Sequence, residues 1–384
     1  MHTRHPETGR VVVQVPLLGD SVTLGELYMD LPIGSPPANY SAQVDTGSAD
    51  LGIPDNLCTT CGKVAGVYNP SQSSSSKVIP CSTKAYSCPQ CSSSSQCQYQ
   101  ISYGDGSGYD ARLYSDLLAL PGLKPVTQGL GGIYQETPSG PGQPFEPFPV
   151  DGIVGIAYQA LSETQAPTMI DNLFASGQIA NMFSMCMTDD GGTFGFGGML
   201  PYTSGTVTYT PITKQLFYQV SIADVTVAGT SLGVAPISDN TGGAIVDSGT
   251  TEFLLPKAAY NAFKSLLLSN CTKNPLVGLC NAGSKTFFDG QCFALTSAQL
   301  AAYPAITIHF TGGATLAVPS SAYLLKGACG PTQPNAYALF MDALGVGEGT
   351  ILGDVVHRPY TVLYDRANAR VGWAPVQQCP DGNA

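Results

Sequence analysis

The sequence predicts an all-β chain folded as two related lobes, and three observations carry that prediction. The first is composition. Only 11% of the 384 residues are charged, while hydrophobic residues make up an ordinary 43% and Gly, Ser, Thr and Pro fill much of the remainder. Such a mixture suits many strands joined by tight turns and leaves little for long solvated helices. The second is punctuation. Short apolar runs at Arg10–Val15, Tyr218–Ile222, Ala305–Phe310 and Tyr360–Tyr364 are bounded by Gly, Pro and Asn and read as strands. Helical spacing is confined to Ala166–Ser176 and Pro256–Leu268.

The third observation is an internal echo. Ala42-Gln-Val-Asp-Thr-Gly-Ser48 recurs as Ala244-Ile-Val-Asp-Ser-Gly-Thr250. Each copy is followed by an apolar pair and a glycine, in Asp151-Gly-Ile-Val-Gly155 and in Thr350-Ile-Leu-Gly353. From Asp45 to Gly155 is 110 positions and from Asp247 to Gly353 is 106. Two markers repeated in one order at nearly one spacing imply two related lobes. The expected division is an N-terminal lobe over 1–195 and a C-terminal lobe over 196–384. The first would hold a Cys-rich insert at 58–97.

Charge and hydropathy exclude several function classes. The formal net charge is −11, which argues against nucleic acid or an anionic membrane as partner. No run of 18 or more apolar residues exists, so no membrane span is expected. Met1–Arg10 is polar and has no apolar signal-peptide core, so a signal has been removed or the chain is truncated.

Six of the twelve cysteines crowd into Cys58, Cys61, Cys81, Cys88, Cys91 and Cys97; the others are Cys186, Cys271, Cys280, Cys292, Cys329 and Cys379. With sequons at Asn39 and Asn270, they favour an oxidising compartment and six disulfides. Cys58-x-x-Cys61 and Cys88-x-x-Cys91 also have zinc-ligand spacing. The Ser-rich surroundings, as at Ser92–Ser95, suit a stapled surface loop better. The six clustered cysteines allow 15 pairings, which sequence does not resolve.

A lone Asp-Thr-Gly-Ser is usually a turn. From average composition, one such match arises by chance in roughly a few per cent of chains this long, and two in separate halves in about one in a thousand. The chemical reading explains each residue type. Water attacking a peptide carbonyl needs a base for the water and an acid for the carbonyl oxygen or the leaving amine. Two close carboxylates, Asp45 and Asp247, cannot both ionise cheaply, so they share a proton and divide those roles. Gly47 and Gly249 let the loops turn and leave room for substrate. Ser48 and Thr250 can donate to the outer carboxylate oxygens, and Thr46 and Ser248 can bond across the seam. No cofactor or metal is required.

Along nearly its whole length the chain resembles the pepsin-type aspartic proteases. The resemblance rests on both Asp motifs and on Leu27–Pro36, Tyr103-Gly-Asp-Gly-Ser107, Phe148–Gly155, Phe194–Gly198, Ile351–Asp354, Asp365–Asn368 and Val371–Trp373. It implies a bilobal pepsin-like fold of β-rich lobes with a few short helices. It also implies a peptide or protein substrate in the inter-lobe cleft, a monomer, an acid pH optimum, and a secreted or vacuolar/lysosomal location. A flap hairpin is implied near 99–112, with Tyr103, Gly104 and Asp105 at its tip. Substrate-binding residues by the same resemblance are Gly47, Ser48, Tyr103, Gly104, Asp105, Gly249, Thr250 and Thr251. The Cys-rich insert resembles the nepenthesin-like group, and Ile245–Thr251 followed by Leu255-Pro256 resembles both that group and the memapsins. That pattern implies pairs Cys186–Cys379, Cys292–Cys329 and Cys271–Cys280. A family pro-segment has no room in residues 1–20, so the mature enzyme is expected.

One position departs from the family. Most members carry Trp seven residues after the first Asp, where its indole bonds the flap tyrosine; here the residue is Gly52. The flap is therefore expected to be held weakly, with Tyr103→Phe mild. Trp373, Met182, Met185 and Met187 read as core, Asp354 as structural, and neither His309 nor His357 as catalytic. The alternative function is a pepsin-fold protein that binds without cutting. Such proteins typically lack one Asp or the flap tyrosine, and both are present here.

Overall fold

The computed structural model describes residues 2–4, 11–20, 22, 24–140, 149–233, 243–269, 271, 275–280, 285–344 and 349–382. Phe148 of the family motif and Asn270 of the second sequon lie outside the described residues, and Asn39 is exposed on a strand. Strands dominate. An antiparallel platform runs Thr208–Pro211, Arg370–Pro375, Tyr360–Asp365, Phe183–Thr188, Gly191–Phe196 and Val11–Asp20, so it draws strands from both halves of the chain. The sheet continues through Glu26–Ile33 and Ala38–Asp45 into the strands around the first Asp. Along Glu26–Ile33 the even-spaced Leu27, Met29, Leu31 and Ile33 are buried, as a strand with one face on the core requires.

The echo in sequence is an echo in topology. Ala38–Asp45 pairs parallel with Gly152–Gly155, bringing Val44 opposite Val154 and Asp45 opposite Gly155. Ala244–Val246 pairs parallel with Thr350–Leu352, Val246 opposite Leu352. In each half the strand after the Asp loop returns antiparallel to that partner: Leu51–Pro54 in one, Phe253–Pro256 in the other. Gly152–Gly155 is buried on both faces, and a Cβ at Gly155 would sit 2.5 Å from the Ala49 nitrogen. Glycine is therefore required where the loop crosses its partner strand.

Beneath the two loops lies an aromatic cluster. Phe183 stacks on Phe194 and Tyr364 with centroids 5.3 and 4.6 Å apart, and Tyr218 meets Tyr364 edge-on at 4.6 Å. Fully burying each ring contributes roughly 2–3 kcal/mol. Trp373 and the three methionines are buried as expected.

The expected helices appear, the first shortened and the second shifted by one residue. Met169–Ala175 begins after a capping box between Thr168 and Asp171. Lys257–Ser269 starts one residue late because Pro256 ends the preceding strand. The run Tyr218–Ile222 is two strands, not one. Tyr218–Val220 joins the sheet of Ala244–Val246, while Ile222–Val227 pairs with Ile306–Phe310. The change of sheet falls at Ser221, whose carbonyl accepts from the Thr311 N–H.

All twelve cysteines are paired in disulfides. The bridges are Cys58–Cys61, Cys81–Cys91, Cys88–Cys97, Cys186–Cys379, Cys271–Cys280 and Cys292–Cys329. Among the described residues, no helix is long and apolar enough to cross a membrane.

Candidate active site

The two Asp loops meet tip to tip with near two-fold symmetry. Asp45 Oδ1 accepts from the Gly47 N–H at 2.7 Å and Oδ2 from the Ser48 hydroxyl at 2.5 Å. Asp247 repeats this with the Gly249 N–H at 2.9 Å and the Thr250 hydroxyl at 2.8 Å. Across the seam, the Thr46 N–H donates to Ser248 Oγ at 3.2 Å and the Ser248 N–H to Thr46 Oγ1 at 2.9 Å. The same hydroxyls donate onward, Thr46 to the Val246 carbonyl at 2.9 Å and Ser248 to the Val44 carbonyl at 2.6 Å. Each buried polar group of the seam is thus satisfied by the opposite loop, which fixes the loops against one another.

The carboxyl groups converge. A Cβ at Gly47 would lie 2.6 Å from Asp247 Oδ1, and one at Gly249 would overlap Asp45 Oδ1. Glycine is imposed here by close approach and not by a turn dihedral. Both side chains are almost fully buried. Burial pushes the Asp45 carboxyl well up from its ordinary value, the negative charge on Asp247 pushes it further, and the Ser48 and Gly47 hydrogen bonds pull it part of the way back. A raised carboxyl beside a second carboxylate can hold one proton between them at a pH where an isolated pair would hold none.

Strands Cys97–Ser102 and Gly108–Leu118 form the hairpin whose tip was expected to be a flap. Gly104, Asp105 and Gly106 are exposed, and Tyr103 is half-buried. Asp105 Oδ1 accepts from both the N–H and the hydroxyl of Ser107, so its carboxylate closes the turn. Cys88–Cys97 anchors the first hairpin strand to the Cys-rich insert. Thr251, grouped with the substrate-binding residues by resemblance, donates its hydroxyl to the Gly25 carbonyl at 2.7 Å.

The expectation of a poorly held flap tyrosine is corrected by Tyr109. Its ring is fully buried where a larger residue at position 52 would go: a Cβ on Gly52 would stand 2.7 Å from both Cζ and Oη of Tyr109. Tyr103 packs on this ring at 6.3 Å between centroids, and Tyr99 meets it edge-on at 6.2 Å. Burial drives the Tyr109 phenol far up, and hydrogen bonds with Tyr99 and Tyr103 bring it part of the way back. Gly52 is therefore the space that Tyr109 fills. The signal in the sequence was an aromatic six residues after Tyr103, on the strand leaving the flap, read there only as part of a hairpin.

Sequence reading also passed over Asp50. This buried carboxylate accepts from Ser162 Oγ at 2.8 Å and from the Glu163 N–H at 3.0 Å, tying the first Asp loop to a distant one. Behind the second loop, burial and the charges of Asp247 and Glu26 push the Asp354 carboxyl well up. His309 Nε2 lies 3.3 Å from Thr226 Oγ1, away from the dyad.

Comparison with known proteins identifies the family. The profile of the family described as "Eukaryotic aspartyl protease" matches residues 26–376. Aspartic proteinase 36 of Arabidopsis thaliana is 30% identical over 94% of this chain and 76% of its own length. Aspartic proteinase nepenthesin-1 of Nepenthes gracilis is 30% identical over 92% and 78%. Pepsin A of Gallus gallus is 28% identical over 91% and 84%. With the match spanning both Asp loops and nearly the whole fold, the chain belongs to the eukaryotic aspartyl protease family and is an aspartic endopeptidase.

Proposed function

We propose that Asp45 and Asp247 cleave peptide bonds by activating a water between them in acid solution. The convergence of the two carboxyls, each with one oxygen toward the other loop and one tied to a hydroxyl, carries this reading. The ionised member takes a proton from water, and that water's oxygen bonds to the peptide carbon. The protonated member gives its proton to the carbonyl oxygen. Collapse of the tetrahedral adduct breaks the C–N bond, and the amine leaves with a proton returned through the dyad. Both roles need exactly one shared proton, so the rate profile is a bell with its optimum on the acid side.

Gly47, Ser48, Gly249 and Thr250 frame the dyad, and Tyr103, Gly104 and Asp105 cover the substrate from above, excluding water. Thr251 supports the rim. The enzyme works as a monomer with lobes 1–195 and 196–384, on a peptide or protein substrate, in a secreted or vacuolar/lysosomal setting. The six disulfides support that setting. Asp45→Asn and Asp247→Asn are nearly isosteric, and each should remove activity by about a thousandfold or more with the fold intact. Digestion of a peptide substrate across pH 2–8 by the three proteins tests the reading. Full activity in either variant, or a wild-type rate unchanged from pH 4 to pH 8, refutes it.

A further inference from the structure

His357 and Tyr364 form a buried hydrogen-bonded pair that the dyad mechanism leaves unused. Both side chains are fully buried, as is Thr46. His357 closes the short helix Asp354–His357 behind the second Asp loop, and Tyr364 comes from the platform strand Tyr360–Asp365. His357 Nδ1 lies 2.8 Å from the Gly353 carbonyl, Nε2 lies 2.7 Å from the Tyr364 hydroxyl, and that hydroxyl lies 3.5 Å from Thr46 Oγ1. A line of polar atoms therefore runs from the C-terminal half to the seam beside Asp45.

Hydrogen counting fixes the direction of each bond. The Gly353 carbonyl can only accept, so Nδ1 carries a hydrogen. In the neutral ring Nε2 is then bare, and the Tyr364 hydroxyl must donate to it. The single Thr46 hydrogen goes to the Val246 carbonyl. Hence no hydrogen lies between Tyr364 Oη and Thr46 Oγ1 while His357 is neutral. A proton arriving at Nε2 reverses this bond: Nε2–H donates to Tyr364 Oη, and the phenol hydrogen is freed to donate to Thr46. Among the described residues Thr46 Oγ1 accepts only the Ser248 N–H, so it has a lone pair to receive it.

We propose that His357 and Tyr364 are positioning residues for the dyad: a proton on His357 turns the Tyr364 hydroxyl toward Thr46 and tightens the seam between the two Asp loops. This rests on the dyad reading above. Burial holds the imidazole down to about 4, opposed in part by the Gly353 carbonyl and the charge on Asp247, so the device switches within an acid working range. The other titratable groups facing the pair are Asp247 and Asp354, with Tyr218 packed against Tyr364. The charge on Asp247 favours a cation at His357, and Phe183 and Trp373 close the apolar sides.

The test compares kcat and KM of wild type, Tyr364→Phe and His357→Gln from pH 3 to pH 6, with melting temperature checked throughout. The ratio of wild-type to variant kcat cancels the dyad's own titration. It should rise about three- to tenfold as pH falls across this range, the factor one net hydrogen bond supplies, with KM unmoved. Tyr364→Phe is isosteric and keeps the experiment readable if His357→Gln fails to fold. A ratio constant with pH, whatever its size, marks the pair as merely structural and overturns the proposal. A second arm uses 15N-labelled histidine: wild type at pH 6 should show the Nδ1–H tautomer at His357, assigned by its loss in His357→Gln. An Nε2–H tautomer overturns the proposal independently. Activity surviving in Asp45→Asn would instead overturn the dyad reading, which these two arms do not measure.

Discussion

The loop that carries Asp45 and the loop that carries Asp247 share one hydrogen-bond plan and sit in different surroundings. Each Asp accepts from the backbone N–H two residues on and the hydroxyl three residues on, and each loop borrows a hydroxyl from the other. Beyond that the symmetry ends. The first loop is tied down by Asp50 and lies close to Tyr109, which also carries the flap tyrosine. The second loop is backed by Asp354, His357 and Tyr364. One hydrogen-bond plan is thus set in two different packings. The local hydrogen bonds orient both carboxyls, and at Asp45 burial and the charge on Asp247 raise the carboxyl against them.

The largest effect beyond the carboxyls themselves should come from the two glycines. A methyl at Gly249 overlaps the Asp45 carboxylate and one at Gly47 presses on Asp247. Gly249→Ala and Gly47→Ala should each lower kcat/KM by about a hundredfold, the scale of an ångström's misplacement of a reacting group. If the loops are equivalent in shape, the two losses will match within a few-fold. Steady-state kinetics with near-wild-type activity in either variant would show that the seam yields.

Next in size is the expected flap, whose tyrosine packs on Tyr109 beside the first loop. Since Tyr109 supplies the partner, Tyr103→Phe should cost about three- to tenfold in kcat/KM, as should Tyr109→Phe. The double variant should be no worse than either single one, because both delete one interaction. Tyr103→Ala should cost more, since the ring itself covers the cleft. Additive losses in the cycle would separate the two tyrosines and restore the weakly held flap.

The smallest effect is on stability. Burial and Asp247 raise the Asp45 carboxyl above its unfolded value, so folding favours the protonated form. That contribution is complete below the ordinary carboxylate range and is lost as pH rises through the raised value. Asp45→Asn cannot ionise and should gain on wild type between pH 3 and pH 7. A few degrees in Tm is expected, about what 1 kcal/mol or more gives in a chain of this size. A Tm difference independent of pH would mean that the pair does not hold its proton in the folded state.

The sequence by itself determined the two Asp loops, the strands that deliver them and the duplicate plan. All of these are local patterns: Asp-Thr-Gly-Ser and Asp-Ser-Gly-Thr fix who bonds to whom within a few residues, and apolar runs between turns fix strands. Even Thr46 and Ser248 were legible, because an echo in sequence implies that what one loop offers the other can accept. What lies behind the loops was decided by tertiary structure alone. Gly52 looked like a lost partner because its neighbour across the sheet, Tyr109, arrives from 57 positions on, in a register no local pattern encodes. The pairing Cys81–Cys91 and Cys88–Cys97, and not across Cys88-x-x-Cys91, follows from the short hairpin that sets Cys91 opposite Cys97. Tyr364 and Thr46, 318 positions apart, read separately as a strand aromatic and a loop hydroxyl. Only packing joins them, because the platform is woven from both halves of the chain and delivers Tyr364 beneath the seam.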